Sequence, residues 1–293
     1  MSAVIRERSL TAPLAPSEVI GRLRVLPPMP AVVTDLLATI DKPDTSINDI
    51  AAKVARDQAL AARTLRLANS SFFGLRQPVA TMRHAITVLG LRAVRNLVAA
   101  AAVVGQLRPS ARTDFDLEAF WRHSIAAAVS AGLIAREIRT DESTAFMAGL
   151  LHDVGRLVLV TCFPDRQSLL EPGATPESFL AAERAIFGLD HVAVGVELAR
   201  HWNFPAVIAE AIGGHHAPPR DGPLTLVDLV CAADAFARSL GYRDECSGHP
   251  EPLNTARATR LGLAPDTCAS LLEEARAQVE EIAAVLVTGR AQS

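Results

Sequence analysis

Apolar residues recur along most of the chain at steps of three and four, the spacing that lines one face of an α-helix. Val32, Val33, Leu36, Leu37 and Ile40 are a typical run. Hydrophobic residues make up 49% of the chain and aromatic residues only 4%. The apolar content is therefore carried by Ala, Leu and Val, of which Ala and Leu are strong helix formers. Since no segment alternates apolar and polar residues as a strand does, the sequence predicts an all-α protein.

Proline, glycine and capping residues divide this pattern into separate helices. The first helix is expected to begin at Ser17, after Pro16. Later helices of the first half are predicted at about 32–40, 46–54, 59–68, 81–89 and 91–107. Helices of the second half are predicted near 116–138, 141–152, 155–162, 176–187, 190–201, 205–213 and 224–240. Asn69, Ser70 and Gly74 predict a structured turn that packs the two halves of the N-terminal bundle against each other.

The polar stretch 108–114 separates two helical halves that should pack as abutting bundles. We expect a flexible tail over residues 1–16, an N-terminal half over 17–108, a second half over 115–242, and a loop and C-terminal helix over 243–293.

The C-terminal helix, from Asp266 to about Val287, carries a narrow apolar seam. The seam residues are Leu272, Ala275, Val279, Ile282 and Leu286. Such a seam either docks on the rest of the chain or pairs with a second copy in a homodimer.

The sequence also predicts a cytoplasmic protein without a membrane span. The apolar runs 97–105 and 124–135 are shorter than the ~20 residues that a span needs, and charges interrupt the N-terminus before a secretory segment develops. The cysteines lack CxxC spacing and are expected to be reduced thiols. They are Cys162, Cys231, Cys246 and Cys268.

Charge is distributed unevenly, although the net charge is only −3. Residues 56–108 hold eight arginines against one acid, Asp57. The segment either binds an anionic partner or forms solvated helix faces that pair with the acidic half. Nucleic acid is not an expected partner, because this excess of arginines is the only feature of the sequence that would support it.

Histidines cluster in the second half, at positions 123, 152, 191, 201, 215 and 216, and two aspartates, Asp153 and Asp234, lie among them. Imidazole nitrogens and carboxylate oxygens suit divalent ions such as Zn, Fe or Mn. A single histidine in an apolar helix is usually a core residue. The combined pattern, with each member in or at the end of a separate predicted helix, instead predicts a divalent-metal site whose occupancy the sequence leaves open.

The constellation resembles the HD superfamily of metal-dependent phosphohydrolases, most specifically in LLHDVGRLVL (150–159). The resemblance implies that Arg156 takes the place of a basic residue that contacts phosphate in catalytic relatives. It also implies a set of metal ligands: His123, His152, Asp153, His191, His215, His216 and Asp234.

Over roughly residues 17–240 the chain resembles one branch more closely, the HDOD domain. The resemblance is carried by LPPMPAVVTDLL (26–37), RTLRLANSSFFG (63–74), FWRHSIAAA (120–128), FGLDHVAVGVELARHWNFP (187–205) and AIGGHH (211–216). It implies an all-helical fold of two bundles, the second HD-like, and a regulatory role in bacterial signal transduction.

Two departures argue against cyclic di-GMP hydrolysis, the activity of the HD-GYP branch. HHAPPRDGPLTL (215–226) lacks the Gly-Tyr-Pro motif, and Ala119 stands where those enzymes can place a Glu, with Glu118 one residue off. His201 does not match a ligand position and is interpreted as structural. The sequence thus favours a non-catalytic regulatory module acting through a protein partner or an anionic ligand such as a nucleotide. The alternative is a metal-dependent phosphohydrolase.

Overall fold

The computed structural model describes residues 12–38, 46–107, 109, 115–167, 169–170, 175–218, 221–242, 253 and 255–287. Within these ranges all regular secondary structure is helical, so the prediction of an all-α fold is confirmed. The predictions for the tail up to residue 11, for most of the 108–114 junction and for residues 243–252 lie outside the described residues.

Among its described residues, the N-terminal half contains six α-helices and a short 3₁₀ turn at Ser71–Phe73. The helices are α1 (Pro16–Leu23), α2 (Ala31–Leu37), α3 (Ile47–Ala55), α4 (Gln58–Ala68), α5 (Met82–Leu89) and α6 (Leu91–Gln106). Ten more follow: α7 (Leu117–Glu137), α8 (Glu142–Leu151), α9 (Val154–Cys162), α10 (Pro164–Gln167), α11 (Pro176–Phe187), α12 (His191–His201), α13 (Ala206–Gly214), α14 (Leu226–Ser239), α15 (Thr255–Arg260) and α16 (Pro265–Leu286).

Helix starts follow the local chemistry of the sequence. The side chains of Ser46, Asp57 and Thr81 each accept a hydrogen bond from the backbone N–H three residues later, which satisfies a donor that the first turn leaves free. The first helix differs from the prediction, since it begins at Pro16 rather than at Ser17 and has no side-chain cap. Proline suits that position because its missing N–H would have no helical acceptor.

The two halves share one apolar core that extends from Val19 to Leu286. Its centre is α7, which packs against α8, α14 and α16. Ala126, Ala127 and Ala128 of α7 are fully buried. Short side chains such as these let neighbouring helices approach closely.

The segment Glu142–Cys162 is long and apolar enough to cross a membrane by length and composition. It comprises α8 and α9 with the break between them. Since 89% of its most apolar window is buried inside the protein, the segment is used as the core of the fold.

The predicted turn at 69–74 is present, and it joins the two halves. Asn69 exchanges hydrogen bonds with the backbone of Val79, and Gly74 takes the left-handed conformation with φ of 55°. Between them, the Phe72 ring packs on Phe146 of α8 with centroids 5.0 Å apart and covers Gly132 of α7. The turn therefore packs the N-terminal half onto the second half. The sequence predicted only that it would pack the N-terminal bundle against itself.

Helix α16 docks on the rest of the chain along its apolar seam, with Ala275, Val279, Ile282 and Leu286 buried. Ion pairs flank the seam. Glu274 pairs with Arg136, Glu280 pairs with Arg122, and Glu281 accepts hydrogen bonds from Ser71 at the joining turn. Pairing of this helix with a second copy stays a prediction.

Candidate metal centre

Helix ends bring the candidate ligands together. His123 lies in the middle of α7 and Asp234 within α14, while the other five stand at helix boundaries. Those five are His152 after α8, Asp153 before α9, His191 at the start of α12, and His215 and His216 after α13. All seven converge although they come from five regions of the chain, and their role as metal ligands stays a prediction.

The His152–Asp153 doublet shares one centre because the helix breaks there. Neighbouring residues on an unbroken helix point about 100° apart, but α8 ends at Leu151 and α9 begins at Val154. Gly155 then allows the backbone of α9 to approach α12. A Cβ at Gly155 would lie 1.9 Å from the carbonyl oxygen of His191, so only glycine fits.

Four of the candidate ligands form a compact first group: Asp153, His191, His215 and His216. The Asp153 Oδ1 atom lies 3.3 Å from His191 Nε2 and 3.2 Å from His215 Nε2. His191 Nε2 lies 3.1 Å from His216 Nε2. All four ligand atoms lie within 4.8 Å of one another.

A second group comprises His123, His152 and again Asp153, with Asp234 beside it. The Nε2 atoms of His123 and His152 are 3.3 Å apart. Asp234 Oδ1 lies 3.4 Å from His123 Nε2 and 3.9 Å from His152 Nε2. Asp153 belongs to both groups, since its Oδ2 atom lies 3.6 Å from His152 Nε2.

Hydrogen bonds orient four of the imidazole rings. In each case Nδ1 contacts an acceptor, which leaves Nε2 facing the centre. The acceptors are the carbonyl oxygens of Tyr242 (for His123), Gly149 (for His152) and Ile212 (for His215), and the carboxylate of Glu183 (for His191). Proteins commonly fix metal-ligating histidines in this way, because the contact sets the tautomer and the ring direction.

Glu183 and Arg238 belong to the centre, and sequence reasoning missed both. Glu183 Oε2 lies 2.6 Å from His191 Nδ1 and accepts the backbone N–H of His191 at 2.9 Å. Arg238 Nη2 lies 2.8 Å from Asp234 Oδ2. Glu183 stands beside Arg184 in an amphipathic helix, a pattern that usually marks a solvated position. Arg238 lies four residues after Asp234, and this i,i+4 spacing is the one sequence signal that could have indicated their ion pair.

Burial and neighbouring charges shift the pKa values of the centre. Burial, reinforced by nearby histidines, lowers the pKa of His152 to about 4 and that of His216 to about 2. Burial also disfavours charge on His191, but Glu183 and Asp153 outweigh it and raise the pKa of His191 to about 10. Burial opposes ionisation of Asp234, yet Arg238 and His123 hold its pKa well below the usual range.

The donors present fit a divalent ion. Three of the separations between ligand atoms in the first group are 3.1–3.3 Å, close to the edge of a tetrahedron with metal bonds of about 2.0–2.1 Å, which is roughly 3.3–3.4 Å. Asp153 Oδ1 and His215 Nε2 are buried, and neither makes a hydrogen bond within the described part of the chain. Buried polar atoms are normally satisfied, and a metal ion would satisfy these two.

Three further residues singled out in the sequence are Arg156, Glu118 and His201. Arg156 is buried beside the centre, and the other two lie away from it. Arg156 is only 3% exposed; its Nη1 lies 3.4 Å from Asp153 Oδ2, and its guanidinium stacks over Phe179. Glu118 faces outward and pairs with Arg122. His201 is exposed at the end of α12 and takes no part in the cluster.

Comparisons with known proteins bear on the family and the fold of the chain. The HDOD domain family matches residues 26–218. The chain is similar to an HDOD domain protein with unknown function from Geobacter sulfurreducens, with 26% identity, a TM-score of 0.69, and coverage of 92% of this chain and 97% of that one. It is also similar to the MmoQ response regulator from Methylococcus capsulatus str. Bath, with 31% identity, a TM-score of 0.50, and coverage of 84% and 97%.

Two curated relatives are much longer than the matched region. A ribonuclease Y from Thermus thermophilus is 34% identical over 116 residues, which are 40% of this chain and 16% of that protein. An uncharacterized protein from Treponema pallidum (strain Nichols) is 27% identical over 247 residues, which are 80% of this chain and 46% of that protein. The chain therefore spans less than half the length of either.

Proposed function

Because the chain belongs to the HDOD domain family, we propose that it is a metal-binding regulatory module of bacterial signal transduction and that it does not hydrolyse phosphate esters. The observation that carries the proposal is the burial of an oriented ligand set. Six of the seven candidate ligands are at most 2% exposed, and His216 is the partly exposed one. Hydrolysis also needs a substrate positioned against the metal-activated water, and the chain lacks the Gly-Tyr-Pro motif after His216 and has Ala119 where the hydrolytic branch can place a Glu.

In this proposal His123, His152, Asp153, His191, His215, His216 and Asp234 are the residues available to hold Zn, Fe or Mn. A bound divalent ion supplies a fixed positive charge, and in catalytic relatives it activates water. Burial keeps the pKa values of His152 and His216 at about 4 and about 2, so these rings are neutral, whereas His191, with its pKa raised to about 10, would release a proton on binding a metal. Glu183 holds the His191 ring so that its Nε2 atom faces the centre.

The partner in this proposal is a protein with an acidic surface, or a smaller anionic ligand such as a nucleotide. Exposed arginines of the N-terminal half support an anionic partner: Arg56, Arg66, Arg76 and Arg83. Within the described residues the N-terminal half offers few acids to neutralise them. A cytoplasmic location is supported by the free thiols of Cys162, Cys231 and Cys268, which fit a reducing compartment.

A metal-dependent phosphohydrolase is the second candidate. It is favoured by the retention of all seven candidate ligands and by the similarity to a protein named ribonuclease Y. Arg156 would have to turn from Asp153 toward a phosphate for this activity, and it is only 3% exposed.

Metal content and thermal unfolding test the proposal. Protein purified without an affinity tag should contain stoichiometric Zn, Fe or Mn, and chelation should lower its melting temperature. Restoring Zn²⁺ or Mn²⁺ at about 100 times its Kd should stabilise the fold by ~2.7 kcal/mol. A folded His152→Ala/Asp153→Ala variant should show neither effect. A wild-type protein that binds no divalent metal and melts identically with and without chelator would overturn the proposal.

A further inference from the structure

His123 depends on a distant part of the chain for its orientation. The Nδ1 atoms of His152 and His215 contact carbonyl oxygens three residues earlier, so each of those rings is held by the helix that precedes it. The Nδ1 atom of His123 instead lies 3.0 Å from the carbonyl oxygen of Tyr242, 119 residues later in the chain. The direction of the His123 ring is therefore set by the segment that follows α14.

This contact decides which nitrogen of His123 faces the centre as a ligand. A carbonyl oxygen only accepts hydrogen bonds, so Nδ1 carries the proton and donates it. Nε2 is then left to the centre, where His152 Nε2 and Asp234 Oδ1 lie 3.3 and 3.4 Å away. Loss of such an outer contact typically weakens metal binding by about 10–100-fold.

Two contacts hold the Tyr242 carbonyl in place. The chain turns at Gly241, which has φ of 89°, and the N–H of Tyr242 donates to the carbonyl oxygen of Ala237 at 3.1 Å. The phenol hydroxyl donates to Glu280 Oε1 at 3.0 Å. The first contact lies at the end of α14, and the second ties Tyr242 to the C-terminal helix α16.

Glu280 also contacts the helix that carries His123. Its carboxylate accepts hydrogen bonds of 2.7 and 2.8 Å from Arg122, the residue before His123 on α7. Glu280 thus connects the donor helix to the acceptor segment of the His123–Tyr242 contact. The side chains of Arg122 and Glu280 are 36% and 57% exposed, and an ion pair this exposed adds little to stability. The arrangement suits positioning better than stabilisation.

A second ion pair joins the same two helices at a distance from the centre. Glu274 of α16 pairs with Arg136 of α7 at 2.7 Å, and their side chains are 38% and 43% exposed. In the part of the chain that the structure describes, neither residue contacts a candidate ligand. The Glu274 pair therefore serves as a matched control for the Glu280 pair.

We infer that α16 is part of the metal centre and that Glu280 is a positioning residue, which holds Tyr242 so that its carbonyl oxygen keeps His123 Nε2 directed at the metal. This inference rests on the metal binding proposed above. Tyr242 and Glu280 both lie beyond residue 218, where the match to the HDOD domain family ends. The C-terminal helix, expected from the sequence only to dock or to dimerise, thereby takes part in metal affinity.

Calorimetric titration of the metal-depleted full chain with Zn²⁺ tests the inference, and the visible absorption of the Co²⁺-loaded protein reports the ligand geometry. Tyr242→Phe removes only the hydroxyl, and Glu280→Ala removes its acceptor. Each should weaken Zn²⁺ binding by ~10-fold and change the Co²⁺ spectrum. Glu280→Gln keeps an oxygen that can accept from Tyr242, so it should restore most of the affinity. Glu274→Ala should leave both readouts at their wild-type values.

Wild-type affinity and an unchanged Co²⁺ spectrum in Tyr242→Phe would overturn the inference. Equal losses in Glu274→Ala and Glu280→Ala, or no recovery in Glu280→Gln, would also overturn it, and all three results leave the proposed metal binding standing. No binding of Zn²⁺ or Co²⁺ by the folded wild type would overturn the proposed function, and the inference with it. If Glu280→Ala does not fold by circular dichroism, Tyr242→Phe decides the matter, because it loses a single oxygen atom.

Discussion

The N-terminal half and the HD-like half are built from the same kind of helix but bury different side chains. In the described part of the N-terminal half the buried polar residues are Thr64, Ser70, Arg95 and Asn96. The HD-like half buries a much larger ionisable set: His123, His152, Asp153, Arg156, Arg166, Glu183, Asp190, His191, His215, Asp228, Asp234 and Arg238. Burying charge destabilises a fold unless partners compensate, so its concentration in one half points to where the function resides.

The first half is therefore held mainly by apolar packing, and the second depends on a network in which each charge needs its partner. Substitutions of the same type should accordingly have different effects in the two halves.

The largest difference is expected for glycine-to-alanine substitutions. Gly155→Ala would place a Cβ 1.9 Å from the His191 carbonyl oxygen and 2.6 Å from the Gly195 nitrogen, both of them backbone atoms. Helices α9 and α12 would have to separate, which should lower the free energy of unfolding by about 3 kcal/mol or more and displace His191.

The matched change in the first half is Gly21→Ala, on the exposed face of α1 with no atom within 4 Å of the new Cβ. It should stabilise the protein by about 0.5–1 kcal/mol through helix propensity. Urea unfolding of both variants checks the pair. Equal changes in the free energy of unfolding for the two variants would show that the close approach of α9 and α12 does not require glycine at position 155.

The next effect concerns the contact between the halves. Phe72→Ala removes a ring that is 3% exposed and packs on Gly132 and Phe146. It should lower the free energy of unfolding by about 3 kcal/mol. Phe73→Ala, which truncates the partly buried neighbour, should have a smaller effect. If both truncations are equally mild in chemical denaturation, the turn does not couple the two halves.

A smaller difference is expected between two ion pairs. Lys53–Asp35, in the first half, is about half exposed on both sides, and Lys53→Ala should change stability by less than ~0.5 kcal/mol. Asp228, in the second half, is 4% exposed, caps α14 and pairs with Arg260 at 2.6 Å. Asp228→Asn should lower the free energy of unfolding by about 1 kcal/mol at neutral pH.

The Asp228 effect should also depend on pH. Burial raises the pKa of Asp228, but hydrogen bonds from Arg260 and Thr225 outweigh it and lower the pKa below its usual range. The stability that ionised Asp228 provides is therefore present above the unfolded pKa of about 3.9 and is lost as pH falls through the lower folded pKa. Unfolding at pH 7 and pH 3 should show the Asn variant converging on the wild type in acid. A difference in unfolding free energy between wild type and Asp228→Asn that is the same at pH 7 and pH 3 would contradict this.

Much of the helical framework could be predicted from the sequence, because its signals are local. Helices α7, α12 and α14 begin and end within about two residues of the predicted bounds. Asp57 caps a helix where its spacing indicated. Local signals failed at Ser17, where Pro16 takes the first helical position instead.

The residues of the candidate site also divide into those that could be predicted from the sequence and those that could not. The convergence of the seven candidate ligands could be predicted because a family pattern gives their order along the chain, and their role as ligands stays a prediction. Glu183 could not be predicted, because its importance arises from tertiary packing that buries it against His191. The spacing of Asp234 and Arg238 is a local signal for their ion pair, and only the burial of that pair at the centre required the fold. The phosphate contact that the resemblance implies for Arg156 stays a prediction, and in the fold its guanidinium contacts Asp153 and Phe179.

The central claim is that this centre binds a metal without hydrolysing phosphodiesters, and one assay tests it directly. Cyclic di-GMP hydrolysis is measured for wild-type protein loaded with Mn²⁺ or Fe²⁺, beside His152→Ala/Asp153→Ala and the milder His216→Ala. The account predicts no cleavage above the background of the double variant, because Ala119 and Pro218 stand where the hydrolytic branch has its motifs. Robust cleavage by the wild type that disappears in folded double variant and falls in His216→Ala would contradict it.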